Sequence, residues 1–234
     1  TSTQIDVAFE ITESPIEELV GANAVIWTTT PWTIPVNQAI AYGPDISYWL
    51  IRASDDRKYL VAFDLVEEFL SRTGLRFKSP EDRLPDTNAG IASQVGELVD
   101  ALHFSGSDLA GTKVRHPMHH LGGFYAELRP FLQGDFVTTD AGTGLVHMAP
   151  DHGEDDFLLC REHGIEPVFA VQANGLYRDD WGWLGADDLD EEGKPRRRSV
   201  INPNFNAPDG PICADLSATG ALLSARNDET TKHS

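Results

Sequence analysis

The sequence predicts an α+β fold, a closed β-barrel core decorated with short helices. Three observations predict it. Short segments rich in β-branched and aromatic residues recur along the chain, each stopped by Gly, Pro, Asn or Asp. Only a few stretches carry a helical period, and those are brief. No internal repeat is visible, so the strands are expected to close on one another as a barrel with helices between them.

Each element follows from its own residues. Residues 5–10 (Ile-Asp-Val-Ala-Phe-Glu) alternate apolar and polar, as a half-buried strand does. Residues 24–30 and 48–52 read as further strands on composition. A helix is expected from Asp64, with Asp64 as N-cap and Glu67 at the capping-box position. Leu65, Val66, Phe69 and Leu70 then share one face, and Gly74 is the stop. Residues 79–94 contain Pro, Asp and Gly without a period and read as a surface loop. Strands resume at 113–116, 126–128, 136–139 and 144–147. A second helix runs over 154–163 and ends at Gly164. Residues 174–211 read as an elaborated loop, rich in Gly, Pro, Asp and Asn. A short helix at 215–219, stopped by Gly220, and a strand at 221–225 close the chain.

Composition narrows the function. At 234 residues and 41% hydrophobic, the chain has enough apolar material for an ordinary core. No apolar run approaches the roughly 18 residues of a membrane span, and the first residues have no signal-like core. Two cysteines, Cys160 and Cys213, make neither a disulfide framework nor a zinc set, and free thiols fit the cytoplasm. A net charge of −19 excludes a protein that holds nucleic acid through its general field. Lys194 with Arg196, Arg197 and Arg198 is the one basic cluster, read as a solvated loop balancing the acids of 187–192.

Two stretches carry chemistry. The first is Trp27-Thr28-Thr29-Thr30-Pro31-Trp32-Thr33-Ile34-Pro35-Val36-Asn37. On a strand, Thr28 and Thr30 share a face while Thr29 points away. Three threonines in a row also suit plain β-structure, but Pro31 and Pro35 break the ladder and open backbone groups nearby. Trp32 fits a core position equally, and Asn37 fits a turn. The second stretch runs from Gly142-Thr143-Gly144 through His147 and His152 to Asp155 and Asp156. A strand-end histidine is commonly a structural hydrogen-bonding group, and acids in a helix's first turn are favoured by its dipole alone. Two histidines five apart with two acids beyond them match no common metal-ligand spacing, so no metal or cofactor is expected. Without a nucleophile elbow, hydrolysis here would rest on positioned water.

Both stretches closely resemble the editing domain of isoleucyl-tRNA synthetase. Thr28-Thr29-Thr30-Pro31-Trp32-Thr33 is similar to that family's threonine-rich motif. Gly142 to Asp156 matches its Gly-Thr-Gly…His…Ala-Pro-Gly-His-Gly…Asp-Asp pattern, except that Asp151 stands where the family has Gly. Likeness also runs through 64–74 and 136–140, and is weakest in 78–125 and 177–212, expected to be variable and loop-rich. The resemblance implies a class I synthetase editing-domain fold and a single editing domain over 1–234, excised from a larger enzyme. It implies hydrolysis of valine mischarged onto isoleucine tRNA. Thr29, Thr30 and Asp156 would be catalytic, the threonines positioning substrate and water and Asp156 pairing with the α-ammonium. Thr28, Trp32, Asn37 and His147 would line the substrate pocket. Partners implied are the 3′ aminoacyl-adenosine end of the tRNA, the valine moiety and the rest of the synthetase. Two rivals stay open at this point: a metal-dependent hydrolase using His147, His152, Asp155 and Asp156, and an acidic protein-interaction module without catalysis.

Overall fold

Strand β1 (Thr3–Glu13) is the axis of the molecule. The computed structural model describes residues 2–78, 101–185, 189–194 and 199–227. The apolar side chains of β1 bury completely at Ile5, Val7, Phe9 and Ile11, but Asp6 and Ala8 are buried as well, so the strand is covered on both faces there and not half-buried as its alternation predicts. Along one edge β1 pairs antiparallel with β2 (Asn23–Thr28). Its other edge is shared by β10 (Leu222–Asn227) and β7 (Lys113–Arg115).

Beyond β2 the sheet continues through β5 (Lys58–Ala62) and β4 (Ser47–Arg52) to β6 (Ala101–Ser105). Beyond β7 it continues through β8 (Leu128–Gln133) and β3 (Ala39–Tyr42) to β9 (Leu145–Met148). The pairs β2–β5 and β3–β8 are parallel and the others antiparallel. The sheet is thus mixed and does not close into the expected barrel. Strands β6 and β9 remain its two ends. Where β9 approaches β5, one backbone bond (Ala62 N–H to Thr143 O, 2.8 Å) and the Thr143 hydroxyl on Val25 O (2.6 Å) replace a ladder. Gly142 and Gly144 both have positive φ there, which turns the chain out of extended geometry.

Helix α1 (Val66–Thr73) buries Val66 and Phe69 next to Leu65, as expected, and Gly74 ends it in the left-handed region. Burying such side chains contributes about 1.5–3 kcal/mol each. The expected capping box is absent. Asp64 lies one residue too early, in the 3-10 turn Phe63–Leu65, and Leu65 holds the N-cap position without a side-chain bond. Arg72 on α1 forks onto the buried Asp6 at 2.8 and 2.9 Å and donates onward to the Gly142 carbonyl at 3.0 Å. This pair fixes the glycine turn that leads into β9.

Other boundaries moved. Residues 136–139 form no strand: Val137 N–H closes a turn on Gly134 O at 3.2 Å. The strand expected at 126–128 begins at Leu128 and runs on through Pro130, because Ala126 belongs to the 3-10 turn Gly123–Ala126. Helix α3 (Pro211–Ala218) starts four residues before the expected 215, with Pro211 in its first turn. The 79–94 loop lies outside the described residues, as do Arg196, Arg197 and Arg198; Lys194 itself pairs with Glu192 at 2.8 Å in solvent. Helix α2 (Glu154–Glu162) packs Leu159 and Cys160 against Ala39, Leu132 and Met148, a small second core that anchors the helix beside β9. Among the described residues, no helix is long and apolar enough to cross a membrane.

Candidate functional site

The end of β2 and the end of β9 meet. Thr28 closes β2, and Pro31 opens a 3-10 turn over Pro31–Val36. The strand expected to reach Thr30 stops at Thr28, and a local turn, not strand alternation, brings the Thr28 and Thr30 hydroxyls within 3.1 Å, with Thr30 N–H donating to Thr28 Oγ1 at 3.1 Å. The Thr30 hydroxyl reaches Thr33 Oγ1 at 3.4 Å. Thr33, which the sequence did not single out, is the hub. Its hydroxyl donates to Thr30 O at 2.8 Å and meets His147 Nε2 at 2.9 Å.

Asn37 decides the histidine's tautomer. Its Nδ2 donates to Ala39 O at 2.9 Å and so must be the amide nitrogen. That nitrogen lies 3.4 Å from His147 Nδ1, which therefore accepts, and Nε2–H donates to Thr33. His147 is 8% exposed, and burial, reinforced by His152, pushes its pKa down to about 4. The imidazole is neutral, with both nitrogens engaged.

Trp32 packs edge-on against His152, with ring centroids 4.6 Å apart. His152 Nε2 lies 3.5 Å from Asp151. Burial pushes the His152 pKa down and the Asp151 pKa up, each opposed by its partner's charge. Asp151 is not among the described residues of positive φ, so the loop does not need the family's glycine at this position.

Asp156 faces inward from the first turn of α2 while Asp155 is exposed. One Asp156 oxygen accepts Ala149 N–H at 2.8 Å. Although the helix dipole and the Ala149 N–H both favour the ionised form, its pKa is raised. Burial is the largest cause and outweighs the Ala149 N–H. No lysine or arginine pairs with it among the described residues. Cys160, one turn on, is buried and its thiol is pushed up to about 12, which suits no nucleophile.

Thr29 lines, with Thr30 and Trp32, an open cleft of about 620 Å³ that Ile201, Asn204 and Asn206 also border. No lining side chain is charged. The structure thus joins Thr28, Thr30, Asn37 and His147 in one hydrogen-bonded run and places Thr29, Thr30 and Trp32 on the cleft. Asp156 makes no hydrogen bond to the threonines and does not line that cleft. The metal rival's ligands do not assemble: among the described residues no three His, Cys, Asp or Glu side chains are grouped to hold an ion.

Comparison with known proteins decides the relationship. The chain is 51% identical, over 95% of its length, to isoleucine–tRNA ligase of Zymomonas mobilis, and covers 20% of that protein. The chain is homologous to a segment of isoleucine–tRNA ligase. The Gluconobacter oxydans ligase is 45% identical over 75% of this chain, and the Pseudomonas paraeruginosa ligase 34% identical over all of it. The chain spans about a fifth of the length of these curated relatives. No protein-family profile matches it. A solved structure titled GlLeuRS-CP1 is 22% identical and overlays 60% of this chain and 44% of its own with a TM-score of 0.45, too loose a likeness to argue from.

Proposed function

We propose that this ligase segment is an editing domain that hydrolyses the ester of valine mischarged onto isoleucine tRNA. In this reading Asp156 takes the α-ammonium of the amino acid, and Thr29 and Thr30 orient the ester and the attacking water. Thr28, Trp32, Asn37 and His147 bound the pocket. The aminoacyl-adenosine end enters along the uncharged cleft, where no carboxylate repels the tRNA. The ester is already activated, so holding water in line contributes without a strong general base or a metal. Neutral His147 suits a pocket wall. Isoleucine against valine is itself the standard worked case of two-sieve discrimination: one methylene gives the synthetic site little to reject, so a second, smaller pocket removes the error.

Asp156 carries this reading. A half-buried carboxylate with one oxygen tied to a backbone N–H and no cation beside it is a site prepared for a cationic group. The test is deacylation of valyl-tRNA and isoleucyl-tRNA for isoleucine by this chain. Fast release of valine with isoleucine spared is the expected result. No release, equal release of both, or release abolished by a chelator and restored by Zn²⁺ overturns it.

A further inference from the structure

Four buried donors from outside the threonine turn each hold one of its carbonyls. A 3-10 turn closes by sending each carbonyl to the N–H three residues on. Pro35 has no N–H, so the Trp32 carbonyl has no such partner within the turn, and the Tyr177 hydroxyl donates to it at 2.6 Å. The Pro35 carbonyl is left open too, because the Gln38 N–H goes to Met148 O at 2.9 Å; the Tyr125 hydroxyl takes it at 2.7 Å. His116 Nε2 donates to Ile34 O at 2.9 Å, and its tautomer is settled by Met118 N–H on Nδ1 at 3.0 Å. Arg129 Nε donates to Asn37 O at 3.2 Å.

Arg129 is the unusual member. It is 2% exposed, and no carboxylate pairs with it among the described residues. Its guanidinium lies over the Phe124 ring at 4.5 Å, and Nη1 donates to Phe124 O and Glu127 O at 2.7 and 2.6 Å. An apolar side chain of similar shape would fill this space without the desolvation cost of a charge. What the arginine supplies instead is a rigid fork that ties Asn37 to the 124–127 turn.

We infer that His116, Tyr125, Arg129 and Tyr177 form a carbonyl clamp whose task is to position the turn. Through Trp32 it sets one wall of the pocket. Through Asn37 and Thr33 it keeps His147 in a single tautomer. The catalytic consequence rests on the editing reading above, whereas the geometry does not.

The experiment compares Tyr177→Phe and Arg129→Met with Tyr59→Phe, a control that loses a buried hydroxyl bonded to Asp55. Three readouts are taken with melting temperature: amide hydrogen exchange at Thr33 and Asn37, ¹⁵N shifts of the His147 ring, and kcat and KM on valyl-tRNA. In Tyr177→Phe the Thr33 and Asn37 amides, which close the turn, should exchange about tenfold faster, with the control unchanged. Deacylation kcat should fall between about tenfold and a hundredfold with KM within about twofold. Arg129→Met should convert His147 from one neutral tautomer to a mixture; should that variant not fold, Tyr177→Phe decides alone. Exchange and kcat that follow melting temperature as they do in Tyr59→Phe overturn the clamp. If the unmodified chain releases no valine, the editing reading falls, and hydrogen exchange still settles the clamp.

Discussion

The two halves of the site are held in opposite ways. The acid loop is self-contained: Asp156 reaches back seven residues to Ala149 N–H, and α2 follows at once. The threonine turn closes itself only in part, because Pro35 has no N–H and the Gln38 N–H goes to Met148, and four of its carbonyls are held by donors 82 to 145 residues away. A locally held acid should tolerate change around it but not of itself. A remotely held turn should be sensitive at many points, each by a modest amount.

The largest expected effect is on the acid side. Asp156→Ala should reduce valyl-tRNA deacylation by a hundredfold or more, since a partly desolvated ammonium losing its only proposed partner costs about 2–5 kcal/mol. The fold should persist, read by an unchanged circular dichroism spectrum and a cooperative melt. An active Asp156→Ala would mean that the ammonium is held elsewhere and that the halves are not divided as described.

Acid should act chiefly on the turn. His147 titrates at about 4 in the fold against an ordinary 6.5, so the unfolded chain binds its proton first as pH falls. The stability it carries is complete above about pH 6.5 and is lost as pH falls towards 4, worth about 3 kcal/mol at most. His116, also held down by burial, acts in the same direction. Asp156 opposes them, because its raised carboxyl favours the folded state once protonated. Melting temperature followed from pH 7.5 to 4 should drop through this window, and less so in His147→Gln. A flat profile would remove neutral His147 from the account of the turn.

Thr33→Val keeps the branched shape and removes the hydroxyl between Thr30 O and His147 Nε2. The loss should be about 2 kcal/mol of stability in denaturant unfolding, with slower deacylation. Smallest of all, Asp155→Ala should change stability by under about 0.5 kcal/mol and leave deacylation intact, because that carboxylate is exposed. Equal losses at Asp155 and Asp156 would mean that the wrong carboxylate has been assigned.

Local pattern was legible in advance. The existence of β1, the apolar face of α1 with its Gly74 stop and the start of α2 are set by residues a few positions apart. Strands β3 (Ala-Ile-Ala-Tyr) and β5 (Lys-Tyr-Leu-Val-Ala) were not legible. They are short and buried almost throughout, so neither shows the alternation that marks a strand, and each is fixed by partners on both edges, β8 and β9 for β3 and β4 and β2 for β5. The open ends of the sheet were hidden for a related reason, because closure depends on how β9 leaves the Gly142–Gly144 turn rather than on how many strands exist.

The sequence by itself determined which residue types the site contains and which side of a strand or helix each occupies, since periodicity and turn chemistry act over a few residues. Only the tertiary structure decided that Thr33 is the hub and that His147 is neutral with one tautomer. It also decided that burial raises Asp156, and that Arg129 and Tyr177, 92 and 145 residues from the carbonyls they hold, complete the turn. Hydrogen-bond satisfaction and desolvation are properties of what surrounds a group in space, and no local pattern encodes those surroundings.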